Sequence, residues 1–170
     1  MTQIAQNTGD VGRMLAGTAK TIKRVRYCWL AWSEESGTLA ARPMGHLLGD
    51  WDRGDWGVRF VTNGLSHKAH ALRGAGRAVA LTFQDAAADA YVLLAGKAKL
   101  LEDPSDVRKL WRDAFAVYFP TEADRAHVAF IELGVERMEL WIRGVTPEPY
   151  GMQATILERD AGQSWRLIAA

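Results

Sequence analysis

The chain has 170 residues, of which 48% are hydrophobic and 24% are charged, and its formal net charge is +1. This length suits one domain with a real hydrophobic core, so we expect residues 1–170 to form a single domain, and the composition is globular rather than disordered. The near-neutral charge and the lack of a dense basic stripe exclude nucleic acid as an expected partner.

Three further features concern the cellular location. No apolar run approaches the ~20 residues needed to cross a bilayer, so we expect no membrane-spanning segment. Residues 1–12 are polar and lack the cationic start and apolar stretch of a secretory signal. Cys28 is the single cysteine, and we interpret it as a buried small hydrophobe because it has no disulfide partner within the chain. These features together predict a cytoplasmic protein.

The first part of the chain combines apolar, aromatic stretches with turn-forming residues. Asp10 is a possible helix cap, and the segment after it has helical composition. In chain order, the pattern predicts a short helix over residues 10–19, strands over residues 27–32 and 38–45, an irregular loop over residues 47–57 and a strand over residues 58–62.

The remaining segments continue this alternation of strands with a few helices. The predicted elements are a short helix over residues 66–73, strands over residues 78–83 and 91–100, a helix starting at Asp103-Pro104, a second starting near Glu122, and one long strand, or two, over residues 128–142. Because the strands are grouped in hairpins rather than alternating with long helices, we expect a mainly β, antiparallel barrel with a few α-helices.

One segment has the features of a phosphate-binding site. A predicted strand ends in Thr62, a turn follows at Asn63, and the next helix begins with Ser66 and Lys68 in its first turn. Hydroxyl donors, a positive charge and free backbone N–H groups at a helix start all favour phosphate. The spacing alone favours the alternative, in which Asn63 or Ser66 acts only as a helix cap and Lys68 faces solvent. There is no Walker-type loop and no GxGxxG after a strand.

A second candidate is Arg42, which lies in the run Arg42-Pro43-Met44. A residue before proline is extended, and the planar guanidinium suits bidentate contact with a phosphate. Because proline lacks an N–H, this point of the strand should lie at a sheet edge or bulge. An exposed strand arginine without a ligand is the alternative.

Together these segments resemble the general stress protein branch of the FMN-binding split barrels, within the pyridoxamine 5'-phosphate oxidase-like superfamily. The resemblance covers about residues 26–143. It is carried, in order, by Arg42-Pro43-Met44, Thr62-Asn63 with Ser66 and Lys68, Leu72-Arg73, Phe83-Gln84-Asp85, the run from Tyr91 to Ala98, Leu110-Trp111, and Tyr118-Phe119-Pro120.

The resemblance implies an antiparallel split β-barrel with FMN bound in the cleft of a homodimer. It assigns the FMN phosphate to Arg42, Ser66 and Lys68. The ribityl chain and flavin ring would be lined by Thr62 and Asn63 and by the backbone at Pro43, Met44 and Val61. Trp111 would belong to an aromatic wall near the subunit interface, although packing within its own helix explains this tryptophan equally well.

The implied function is that of an FMN-dependent oxidoreductase acting on an unidentified small molecule, in a stress-related role. A non-catalytic flavin reservoir or sensor is the alternative, and a relative that binds a deazaflavin or haem is a third possibility. Tyr91 replaces the glutamine that true pyridoxamine-phosphate oxidases carry near the flavin, which argues against that specific activity. Trp165-Arg166-Leu167 is faintly similar to their substrate-binding tail, but a terminal strand explains it better.

The histidines do not form a recognisable metal motif. His67 and His70 lie three apart on a predicted helix, and His46 follows the arginine-proline-methionine run. A metal site needs three or four converging ligands, and no HExxH pattern is present. We therefore expect no metal site, and we expect His46 to be a solvent-facing loop residue.

Overall fold

The structure, a computed structural model, describes residues 2–46, 56–74, 76–159 and 164–169. Short 3-10 turns occur at Ala86–Ala88 and Asp113–Val117. The helices and strands are α1 (Thr2–Arg24), β1 (Tyr27–Ser33), β2 (Leu39–Gly45), β3 (Gly57–Asn63), α2 (His67–Leu72), β4 (Arg77–Asp85), β5 (Ala90–Leu101), α3 (Pro104–Leu110), α4 (Glu122–Arg125), β6 (Val128–Ile142), β7 (Thr155–Arg159) and β8 (Trp165–Ala169).

The described strands form one antiparallel sheet in the order β2-β1-β4-β5-β6-β7-β8, and β3 also pairs with β6. This confirms the predicted mainly β, antiparallel architecture of a split barrel. The predicted loop over residues 47–57 lies outside the described residues except for Trp56 and Gly57, and Gly57 already belongs to β3.

The long strand β6 connects the two parts of the sheet. One stretch, from Val128 to Gly134, pairs with β3, and a later stretch, from Arg137 to Leu140, pairs with β7. The register against β5 shifts between the two, since Ala95 lies opposite Arg137 while Gly96 lies opposite Val135. A β-bulge of this kind bends a strand, so β6 can serve two different neighbours.

The β2 strand lies at the edge of the sheet. Among the described strands it pairs with β1 alone, with Arg42 opposite Leu30 and Pro43 opposite Trp29. The expectation that Pro43 would lie at a sheet edge is therefore confirmed, because a residue without an N–H is tolerated where no second neighbour needs one.

Helix α1 is much longer than predicted. The helix spans Thr2–Arg24 rather than residues 10–19, and Val11, Met14 and Ile22 are buried in the main core. The 3.6-residue period of these positions continues beyond the predicted end. Asp10 is not a cap: it lies inside the helix, where its carboxylate pairs with Arg13 at 3.2 Å.

A second hydrophobic cluster lies on the other side of β6. It contains Phe115, Phe119, Val128 and Phe130, all buried, and α3 contributes partly buried residues to it. Phe115 and Phe130 meet at a steep angle with ring centroids 5.9 Å apart, a favourable aromatic geometry. The cluster joins the start of β6 to the segment after β5.

The chain after β6 forms the β7–β8 hairpin. Trp165 packs edge-on against Trp56, with ring centroids 6.1 Å apart. The interpretation of Trp165-Arg166-Leu167 as a terminal strand is confirmed, whereas β7 was not predicted. No helix in the described ranges has the length and apolar character needed to traverse a lipid bilayer, and the cytoplasmic location stays a prediction.

Candidate functional site

The turn between β3 and α2 is built from the predicted polar residues. Asn63 Oδ1 accepts the Leu65 N–H at 2.8 Å, and the Asn63 carbonyl accepts the Ser66 N–H at 3.0 Å. Ser66 is the N-cap of α2, with Oγ accepting the Ala69 N–H at 3.3 Å. Ser66 therefore is the helix cap that was considered, whereas Asn63 forms the turn and does not cap the helix; any ligand contact would be made in addition to these hydrogen bonds.

Thr62 and Ser66 come together at this turn. Thr62 is the penultimate residue of β3 and is buried, and its Oγ1 lies 3.4 Å from Ser66 Oγ. Each hydroxyl can donate one proton and accept others. The two side chains therefore form a small hydroxyl cluster directly before Lys68.

Lys68 and Arg42 are two cations of this region whose charges interact. Lys68 is half-buried, and burial lowers the pKa of its ammonium group, with the nearby Arg42 charge lowering it further. The Arg42 guanidinium is exposed and donates to the carbonyl of Ala41 at 2.8 Å. Within the described part of the chain, neither cation has a carboxylate partner. Two neighbouring, uncompensated positive charges favour an anion between them.

The backbone of the β2 edge is held in place by the strand beside it. Met44 is buried, and the Cys28 thiol donates to the Met44 carbonyl at 3.7 Å. Burial is the main cause that raises the pKa of Cys28 to about 12. Cys28 is therefore a structural thiol, as predicted, and Pro43 remains exposed on the outer face next to Arg42.

Trp111 lies at the end of α3 and packs in the second cluster. Its ring meets those of Phe115 at 5.8 Å and Phe119 at 6.4 Å, and the Arg125 guanidinium lies 5.8 Å from its centroid. Val61 packs against the same cluster. The core-packing interpretation of Trp111 is therefore correct, and its role in a flavin wall stays a prediction.

Comparison with known proteins identifies the family of this fold and site. The family model described as "Pyridoxamine 5'-phosphate oxidase like" matches residues 15–153. The chain belongs to this family. The resemblance recognised from the sequence is thereby confirmed, and no curated protein gives a significant match.

Solved structures share the fold of this family member at low sequence identity. A protein related to general stress protein 26 from Clostridium acetobutylicum has a TM-score of 0.69 and 16% identity, covering 85% of this chain and 94% of its own. A pyridoxamine 5'-phosphate oxidase-related, FMN-binding protein from Nostoc punctiforme has a TM-score of 0.66 and 16% identity, and the match covers 95% of this chain and 96% of that protein. The general stress FMN/FAD-binding protein of Xanthomonas citri has a TM-score of 0.62 and 22% identity, and the match covers 82% of this chain and 95% of that protein.

Two histidines of this family member, His46 and His67, contact other segments of the chain. His46 is half-buried rather than solvent-facing: its Nε2 lies 2.8 Å from the Val25 carbonyl and its ring packs edge-on against Phe83. The expectation of an exposed loop histidine was wrong, because Val25, which follows α1, and Phe83 of β4 contact its ring. His67 Nε2 lies 3.7 Å from Glu34 Oε2. The described residues contain no cluster of three or more potential metal ligands.

Two features of the structure were not found from the sequence. One is an ion pair between Arg73 and Glu102 next to the β3–α2 turn. The other is an aromatic face on the outer side of the sheet, which we define by Tyr27, Trp29, Tyr91 and Trp141. Leu72-Arg73 was part of the family resemblance. Nothing in the sequence around Glu102 indicated that it would pair with Arg73, which lies 29 residues earlier.

Proposed function

We propose that this chain is a flavoprotein that binds FMN, with Arg42 and Lys68 holding the phosphate. The observation that carries the proposal is that Lys68, which is half-buried, feels the charge of Arg42, while neither cation has a carboxylate partner among the residues that the structure describes. Structural neighbours described as FMN-binding or FMN/FAD-binding proteins support it. We extend the proposal to an oxidoreductase that acts on an unidentified small molecule in a stress-related role.

The chemistry of these side chains fits the phosphate of FMN. A dianion between Arg42 and Lys68 would compensate both charges and would favour the protonated form of Lys68. Ser66 and Thr62, whose hydroxyl oxygens lie 3.4 Å apart, would donate hydroxyl hydrogen bonds to the same phosphate. Arginine is suited to two parallel bonds, whereas lysine acts as a compact charge. The four side chains thus differ in role but share one ligand group.

The remaining predicted residues would position the rest of the cofactor. The exposed edge at Pro43 offers backbone beside Arg42, and Asn63 keeps its amide N–H donors available while its carbonyl oxygen is used in the turn. The backbone at Met44 and Val61 would line the ribityl chain and ring. When bound, FMN would supply the electron-transfer chemistry, while these protein groups bind and orient it.

We also propose that the chain forms a homodimer through the aromatic face. Tyr27 and Trp29 are 52% and 54% exposed, and together with Tyr91 and Trp141 they line an open cavity of about 530 Å³. A contiguous exposed surface of large aromatic residues is typical of an interaction site.

The position of this face favours a second copy as its occupant. Trp29 lies directly opposite Pro43 in the β1–β2 register, so the aromatic face continues to the edge that carries Arg42. The next row across the sheet consists of small residues, which make it flat enough for close packing: Ala41, Ala31, Ala80 and Ala95. A partner packed here would cover the FMN site from the side, which matches the predicted binding at a dimer cleft.

The absorbance spectrum of the purified protein tests the cofactor directly. We expect flavin bands, and release of FMN on denaturation. Replacing Arg42 and Lys68 by alanine should weaken FMN binding by the ~2–5 kcal/mol typical of a truncated charge-assisted contact, which is ~30- to several-thousand-fold. The matched control replaces Arg108 and Lys109, two exposed cations of α3. Equal FMN retention in both variants would mean that the pocket is wrong, and a deazaflavin or haem spectrum would overturn the cofactor.

Anaerobic titration with reduced nicotinamide cofactors tests the oxidoreductase proposal. We expect bleaching of the flavin bands, followed by their return when an electron acceptor is added. If no nicotinamide or acceptor couple changes the oxidation state of the bound flavin, the non-catalytic reservoir or sensor becomes the better account. Both outcomes are measured on protein that has FMN bound, so the experiment tests catalysis independently of cofactor binding.

Light scattering tests the dimer. We expect a particle of twice the chain mass, and we expect Trp29→Glu to shift it to the monomer because a charge would be buried in the interface. The control is Met152→Glu, at a side chain that is 75% exposed outside the aromatic face. A wild-type chain that stays monomeric at micromolar concentration would remove the interface proposal.

A further inference from the structure

The side chain of Arg73 links the β3–α2 turn to the end of β5, and we call this link the brace. Arg73 follows α2, and its Nη2 donates to the Gly64 carbonyl at 3.1 Å, within the turn itself. The same guanidinium holds the Glu102 carboxylate through Nε at 3.0 Å and Nη2 at 2.5 Å. Glu102 follows the end of β5. Arg73 therefore connects the turn that precedes Lys68 to a strand of the main sheet.

Gly64 is the point at which this brace meets the turn. Its N–H donates to the His127 carbonyl at 2.7 Å, so both backbone groups of this residue are bound. A Cβ at this position would lie 3.3 Å from Glu102 Oε1 and 3.3 Å from the His127 carbonyl oxygen. The backbone thus fits into a narrow space between the Glu102 side chain and the start of β6.

The contacts of Arg73 distinguish it from a phosphate ligand. Its Nη1 contacts His70 Nδ1 at 2.8 Å, so each of its three nitrogens already has a partner within the protein. The hydrogen bond from Arg73 also lowers the pKa of Glu102, as expected for a carboxylate that accepts from a guanidinium. Among the described residues, in contrast, Arg42 donates to the adjacent Ala41 carbonyl alone.

We propose that Arg73 and Glu102 are positioning residues that fix the β3–α2 turn so that Ser66 and Lys68 face Arg42. This inference rests on the proposed FMN site. The brace acts on the Gly64 carbonyl, two residues before the Ser66 cap and four before Lys68. If it is removed, the turn keeps its local Asn63 and Ser66 hydrogen bonds and the Gly64 N–H bond to the His127 carbonyl, but it loses the side-chain link to the end of β5. The two cations would then no longer be held at one separation.

The test compares FMN with riboflavin, which lacks the phosphate. Dissociation constants of both are measured by flavin fluorescence for the wild type, Arg73→Ala, Glu102→Gln and the control Arg77→Ala. Arg77 is 40% exposed against 41% for Arg73 and pairs with Glu35 at 3.1 Å, away from the turn. We expect the preference for FMN over riboflavin to fall by about tenfold in the first two variants and to be unchanged in the control.

Hydrogen exchange of the flavin-free protein gives an independent measurement. Loss of the brace should speed exchange of the Gly64 amide in Arg73→Ala and Glu102→Gln, with no change in Arg77→Ala. Unchanged exchange together with an unchanged FMN preference overturns the positioning role. If the wild type binds no FMN, the proposed function fails, while faster exchange would still support the brace. Glu102→Gln, which keeps the shape of the side chain, provides the answer if Arg73→Ala does not fold.

Discussion

Lys68 lies half-buried beside Arg42, and the pKa of Lys68 is lowered first by burial and then by the charge of that arginine. Because burial and the Arg42 charge both disfavour the protonated form of Lys68 in the free protein, a bound anion would stabilise this site. Binding sites commonly carry such local instability, because the groups that would satisfy it belong to the ligand.

The first prediction follows from the sign of this shift. A lysine whose folded-state pKa lies below its ordinary value of 10.5 opposes folding when protonated, and this penalty disappears as the pH rises towards that value. We expect Lys68→Met to stabilise the flavin-free protein at pH 7, by up to about 1 kcal/mol because solvent screens the exposed part of the side chain, and the difference to shrink near pH 10. Thermal unfolding at the two pH values measures it.

Bound FMN should make the wild type more stable than Lys68→Met, the reverse of the order expected without flavin. Saturation at a hundred times the dissociation constant stabilises a protein by about 2.7 kcal/mol, and Lys68→Met should gain much less than the wild type at equal FMN. Lys109→Met, at an exposed lysine of α3, serves as the control and should resemble the wild type throughout. A less stable flavin-free Lys68→Met at pH 7 would contradict the electrostatic interpretation.

The parts of the site that were predictable are close in the chain. Thr62, Ser66 and Lys68 fall within seven residues, so a strand followed by a capped helix brings them together through local geometry alone. The bounds of β6 were likewise predicted as they are observed, Val128–Ile142, because its apolar residues recur along the whole segment.

The contacts that were missed depend on long-range packing. Arg73 and Glu102 are 29 residues apart and meet only because the end of α2 lies beside the end of β5. The distance between Arg42 and Lys68 depends on how the β2 edge faces α2, and only the family resemblance pointed to it. Strand β7 is a five-residue element, too short for a clear alternation of its own.

Cys28 should be chemically silent in the folded protein. It is 1% exposed, and burial raises its pKa to about 12, so roughly one thiol in ten thousand is ionised at pH 8. We expect an aromatic disulfide reagent to release no chromophore from the native protein and one equivalent after denaturation. As a control, a cysteine introduced by Met152→Cys in a Cys28→Ala background should react in the native state, because that side chain is 75% exposed and lies outside the aromatic face. Rapid reaction of native wild type would show that β1 and β2 open readily.

Two substitutions of Trp111 distinguish a role in core packing from a role in contacting the flavin. Trp111→Ala removes ring contacts with Phe115 and Phe119 and should destabilise the protein by about 2–4 kcal/mol, somewhat below the value for a fully buried tryptophan. Trp111→Phe should keep most of this stability. Denaturant unfolding provides the measurement, with Val117→Ala, 75% exposed in the same segment, as the control.

The flavin role of Trp111 is measured separately on Trp111→Phe. If the indole contacts the flavin, FMN fluorescence should be less quenched in this variant although its stability is retained. Identical quenching in both proteins would limit Trp111 to core packing. Full stability of Trp111→Ala would instead contradict the packing seen around its ring.

The bulge in β6 leads to the last prediction, because it requires a glycine on the neighbouring strand. A Cβ on Gly96 would lie 2.0 Å from the Gly134 carbonyl oxygen and 3.1 Å from the Glu136 nitrogen, both backbone atoms that cannot move aside without breaking the strand pairing. We expect Gly96→Ala to cost at least about 2–3 kcal/mol of unfolding free energy, as overpacking in a core does.

Gly134→Ala is the matched control, since a Cβ there meets no atom within 4 Å. Its effect should stay within about 1 kcal/mol, the range for a glycine replaced where space is available. Because the bulge separates the part of β6 that pairs with β3 from the part that pairs with β7, Gly96→Ala should also disturb β3 and the turn that carries Ser66 and Lys68. Urea unfolding combined with FMN titration measures both effects. Equal stability of the two variants would mean that β5 and β6 do not approach as closely at the bulge as the structure indicates.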